Sequence, residues 1–98
     1  MSLDQYITCL ENCSLRHLES LAMIGLAERA DVEDCEKKNF QKIILHLING
    51  KLVTSECFYH EEVAHSLKII NIYIEITKRN RAPEKLVIVK PREGLSED

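Results

Sequence analysis

Three sulfur and nitrogen donors stand four residues apart at Cys9, Cys13 and His17. On a helix this spacing puts them on one row, where two thiolates and an imidazole could face a zinc ion. A fourth ligand would have to come from Cys35, Cys57 or His60, and the tight Cys-x-x-Cys turn of structural zinc sites is missing. Cysteines that simply fill space in a core are the simpler reading, so no metal is expected. A second group is His60, Glu61, Glu62, His65 and Ser66. Glu62-x-x-His65 has the spacing of half a di-iron carboxylate site, but the required second motif does not occur. On a helical projection Glu62, His65 and Ser66 share the face that Ile69, Tyr73 and Ile76 continue, which makes these three the candidate polar site. The plainer reading is a helix emerging from its packing partner.

The stretch Ala64-His65-Ser66-Leu67-Lys68 resembles part of the motif of histidine phosphotransfer domains, helical bundles in which an exposed His carries a phosphoryl group. The resemblance covers five residues and implies a phosphoacceptor role for His65 alone. The position after the Lys, usually Gly in that family, is Ile69 here. Further along, residues 78–92 hold Lys78, Arg79, Arg81, Lys85, Lys90 and Arg92 against the single acid Glu84, so a nucleic-acid-associated regulator acting through this arm is a further alternative. That stretch has no aromatic residue to stack on a base, and the whole chain is acidic, with a pI near 5.8. Nucleic acid is therefore not the expected partner. No nucleophile with an adjacent base, no phosphate-binding Gly loop and no cofactor motif stands out, and the three Gly at 25, 50 and 94 offer no loop on which to build a pocket. The expectation is a protein that is not an enzyme and carries no cofactor.

The elements that must position these groups read as helices. In 98 residues, 45% hydrophobic and 30% charged, a single folded domain fits, and three Gly with two Pro are too few to punctuate an all-β barrel or sandwich. Ser2 and Gln5 have the spacing of a capping box, and Leu3, Tyr6, Ile7 and Leu10 recur at helical intervals. From Ser14 the phase shifts to Leu15, Leu18 and Ala22, where the helix kinks or restarts. A first helix is drawn over 3–29. Phe40, Ile43, Ile44, Leu47 and Ile48 give an i, i+3, i+4, i+7, i+8 stripe, with Asn49-Gly50 as a left-handed stop, for a second helix over 32–49. A third, over 56–79, carries Val63, Leu67, Ile70 and Ile74 on one row and Ile69, Ile72, Tyr73 and Ile76 on the next, against Glu61, Lys68, Glu75 and Arg79 opposite. The expected fold is thus all-α, three helices in a domain over 1–80, followed by an extended basic arm and loose C-terminus over 81–98. The alternative is α+β with a C-terminal β-hairpin of 69–77 and 85–90, because Ile70, Ile72, Ile74 and Ile76 also alternate at period two.

The longest apolar run, Leu21 to Ala27, is far too short to span a bilayer, and Asp4 stands where a signal peptide would carry a base. A cytoplasmic location without membrane contact is expected, with free thiols. Cys9 and Cys13, four apart on a helix, would have Cβ atoms about 5 to 6 Å apart, against roughly 4 Å in a disulfide. The apolar arc of the third helix, roughly 200° wide, exceeds what one packing face requires. The run 21–27 is apolar all round. Both surpluses are absorbed by a homodimer in a dimeric helical bundle, with Met23, Ile24, Leu26, Ile69, Ile72, Tyr73 and Ile76 as interface. Function then lies in binding, as a regulator, adaptor or inhibitor of an unidentified protein partner.

Overall fold

A computed structural model describes residues 3–80, and the expected arm over 81–98, with the 85–90 half of the alternative hairpin, lies outside these residues. A 3-10 turn at Leu3–Tyr6 is followed by helix α1 (Leu15–Met23), strands β1 (Ala27–Asp34), β2 (Phe40–Leu47), β3 (Leu52–Thr54) and β4 (Phe58–Tyr59), and helix α2 (His60–Asn80). The fold is α+β, so the all-α expectation and the dimeric helical bundle built on it are wrong. The hairpin alternative also fails, because 69–77 lies wholly within α2.

Helix α1 begins where the apolar phase shifts: Ser14 is its N-cap, and its side chain accepts a hydrogen bond from the His17 N–H at 3.2 Å. At the other end Gly25, at φ +85°, donates to Ala22 and Leu26 donates to Leu21. This is a Schellman stop, closed by the buried pair Leu21 and Leu26. It ends α1 before the apolar run 21–27 is complete, and the chain turns directly into β1.

The segment expected to be the second helix is the hairpin of β1 and β2. Five apolar residues from Phe40 to Ile48 satisfy a helical stripe, but Ile43, Leu45 and Leu47 also alternate with Lys42, Ile44 and His46. The sheet uses the second period. Ile43, Leu45 and Leu47 are buried beneath the helices, and their neighbours are half-buried on the other face. Asn49-Gly50 is accordingly a strand connection, with Gly50 at φ +89°. The sheet is antiparallel in the order β1-β2-β3, and β4 continues the β3 side of β2. Between them Glu56 and Cys57 oppose the single residue Lys42, which makes a bulge. Ser55 repairs the ladder: its Oγ accepts the Ile43 N–H at 2.9 Å and donates to the Glu56 carbonyl at 2.8 Å. Ser55 is 1% exposed, so Ser55→Ala strands the Ile43 N–H in a dry interior. We expect a loss of about 1–3 kcal/mol, measurable by urea unfolding.

Residues Leu10 to Cys13 run beside β3, through bonds from Thr54 N–H to the Leu10 carbonyl at 2.8 Å and from Cys13 N–H to the Thr54 carbonyl at 3.0 Å. They are therefore not helical, and Asn12 adopts a left-handed φ of 55° among them. The chain turns back there, Cys9 is joined to Cys13, and Cys35 is joined to Cys57. No free cysteine is left, which overturns the expected thiols: the helical spacing that forbade the first bridge does not exist.

Both helices cover one face of the sheet. Leu18, Leu21 and Ala22 of α1 and Val63, Ile70 and Ile74 of α2 close the core over Ala27, Ile43, Leu45, Leu47 and Val53. The other face is solvated and carries a cross-strand hydrogen bond between His46 and Asp31 at 2.8 Å and an ion pair of Lys42 with Glu33 at 3.6 Å. Among the described residues β1 is an edge strand, and it is lined with Glu28, Arg29, Asp31, Glu33 and Asp34, a composition that discourages edge-to-edge pairing.

Candidate interaction surface

Helix α2 is 21 residues long, about 31 Å at 1.5 Å per residue. Glu61 and Glu62 lie in its first turn and Lys78 and Arg79 in its last, each sign where the helix dipole favours it. Its start is anchored by the His60 N–H, which donates to the Asn39 carbonyl at 2.8 Å. One side faces the sheet through Val63, Ile70 and Ile74, and an adjoining side meets α1. The two helices run alongside in the same direction. Ser66 donates to the Glu19 carboxylate at 2.5 Å, and eleven residues on, Thr77 lies 3.6 Å from where a Cβ on Gly25 would stand.

This arrangement sorts the expected interface. Ile72 is 51% exposed and Ile76 43% exposed, one turn apart on the uncovered side of α2. With Lys68, Asn71, Glu75 and Arg79 they line a shallow groove along the helix. Met23 and Ile24, 56% and 51% exposed, stand at the end of α1, near the Thr77 level of α2. Ile69 and Tyr73 are half-buried, Tyr73 against the core. Leu26 is withdrawn from the interface set: it is the buried half of the Schellman stop.

The polar group divides in the same way. Ser66 is 4% exposed and turned to Glu19, whereas Glu62 and His65 are exposed. The three do not form one site, because α1 covers only the side of α2 that carries Ser66. His65 makes no hydrogen bond or ion pair among the described residues, and its following turn carries the bulky Ile69. Cys9 and Cys13 are bonded to each other and hold no thiolate for a metal, and His17 keeps a buried Nε2 without a partner. Among the described residues no cluster of three or more His, Cys, Asp or Glu could hold a metal ion.

A second concavity lies between the β1–β2 turn and the start of α2, lined by Lys37, Lys38, Asn39, Phe40, His60 and Ala64 among others. Tyr59 meets Phe40 edge-on at 6.2 Å and lies 4.6 Å from His60, while the Lys37 ammonium sits 4.5 Å from the Phe40 ring centre. The helical stripe that Phe40 shares with Ile43 and Ile44 hides this group in the sequence. The Cys35–Cys57 bridge stands at its edge.

No protein-family model matches the chain, and no curated protein or solved structure is significantly similar to it.

Proposed function

We propose that the protein is a non-enzymatic protein-binding module, a regulator, adaptor or inhibitor, that works through its helical layer and associates with itself. The observation that carries this reading is the exposure of Ile72 and Ile76, side by side on a well-formed helix whose opposite side already fills the core. Two isoleucines left half in water on a rigid element mark a binding surface more readily than a packing remainder, because among the described residues the core is closed by the other side of α2. Met23 and Ile24 supply further apolar surface at the same end of the layer.

The double variant Ile72→Ser/Ile76→Ser tests this. Both side chains lie outside the core, so the far-ultraviolet circular dichroism spectrum and melting should stay close to wild type. Self-association measured by sedimentation velocity should fall by at least tenfold. Unchanged association in a folded variant would remove these residues from the surface.

Among the described residues no helix is long and apolar enough to cross a membrane. The pairing of all four cysteines supports action in a compartment, or at a stage, where thiols are oxidised, and it weighs against the reducing cytoplasm that the sequence suggested.

A further inference from the structure

We propose that the occupant of the Ile72–Ile76 groove is a second copy of the chain, its α2 laid antiparallel across a two-fold axis near Ile72. This rests on the self-association proposed above and adds its geometry. Exposed apolar surface alone would not choose an occupant; the charges around it do. Lys68 and Glu75 line the groove beside the two isoleucines, and neither forms an ion pair among the described residues. They are seven residues apart on one helix, about 10.5 Å at 1.5 Å per residue, too far to pair with each other.

A two-fold axis through Ile72, perpendicular to the helix, sets residue 68 level with position 76 of the other chain. Lys68 can then lay its methylene stem over the partner's Ile76 and bring its ammonium to the partner's Glu75. The symmetry makes the same pair a second time. Arg79 arrives level with the partner's His65, within about one turn of the partner's Glu61, so the basic end of each helix meets the acidic start of the other, and the two helix dipoles oppose. A parallel pairing reverses all of this, setting Lys68 at the height of the partner's Lys68 and Glu75 at the height of the partner's Glu75. Like charges side by side disfavour that arrangement.

Charge reversal reads the orientation directly. Lys68→Glu and Glu75→Lys, both at exposed positions, should each weaken the dimer by about tenfold or more in Kd in dilute buffer. The double variant Lys68→Glu/Glu75→Lys should return to within about threefold of wild type, and the differences should shrink in 1 M salt. A dimer indifferent to the single reversals, or one that the double reversal does not rescue, overturns the antiparallel pairing while leaving self-association intact. A wild-type chain that stays monomeric at all concentrations overturns both. Circular dichroism of each variant establishes that the helix is retained.

Discussion

Leu45→Ala should cost about 3–4 kcal/mol, while Ile44→Ala, one residue earlier on the same strand, should cost about 1 kcal/mol. Leu45 is fully buried at the centre of β2, between β1 on one side and β3 on the other, in the core to which both helices contribute. Truncation there opens a cavity that the sheet backbone cannot collapse to fill, and the loss combines the missing transfer energy with the void. Ile44 points to the opposite, solvated face and is only half-buried. Guanidinium unfolding of the two variants measures the contrast, which also decides the local structure. A helix with Phe40, Ile43, Ile44, Leu47 and Ile48 inward would turn Leu45 outward, and the order of the two losses would invert. A domain of this size commonly holds only about 5–15 kcal/mol of stability, so the larger loss approaches the limit of folding at elevated temperature.

Removing the Cys35–Cys57 bridge should destabilise the protein by about 3 kcal/mol. The bond closes a loop across 22 positions of sequence separation, and the loop-closure relation assigns about 3 kcal/mol to a loop of that length. Its location adds to the effect. Cys35 follows the last residue of β1 and Cys57 precedes β4, so the bridge holds the outer end of the β1–β2 hairpin to the strand that leads into α2. Cys35→Ser/Cys57→Ser should therefore lower Tm by roughly 12–24 °C in calorimetry, at about 4–8 °C per kcal/mol for a small domain. The Cys9–Cys13 bridge spans only four positions and should contribute less, about 2 kcal/mol by the same relation. An unchanged melting curve in the Cys35→Ser/Cys57→Ser variant would show that the hairpin is held by packing alone.

What could be read from the residues, and what could not, follows from how many periods each segment permits. Polar residues at 61, 68, 75 and 79 keep helical phase over five turns, longer than the isoleucine alternation competing with it, and α2 forms there, beginning at His60 in place of residue 56. From Phe40 to Ile48 the apolar residues are so dense that both periods fit, and the deciding context, two strands flanking β2, is not local. Strand β1 carries five charges in eight residues, because an edge strand beside solvent needs few apolar positions, and its sequence reads as a polar helix start. The Cys9–Cys13 bridge was hidden for a related reason: excluding it assumed a helix that the chain, bonded to β3 through Leu10 and Cys13, does not form.

The exposure of Ile72 and Ile76 was legible from one helix alone. The width of the apolar arc on α2 depends only on that helix, and Ile72 and Ile76 stand exposed where the arc exceeds one packing face. Which side α1 would cover is a tertiary fact, and so Ser66, turned to Glu19, and Leu26, buried at the end of α1, could not be separated from the surface residues in advance.

In the dimer proposed above, the exposed face of α2 joins two copies of the chain. Its most direct measurement is the molar mass of the oxidised wild-type protein by light scattering over a dilution series, with Ile72→Ser/Ile76→Ser alongside. A dimer joined through this face gives about twice 11.3 kDa for the wild type at the upper concentrations and 11.3 kDa for the variant. A wild-type mass of 11.3 kDa throughout, or a variant that remains dimeric, would contradict it.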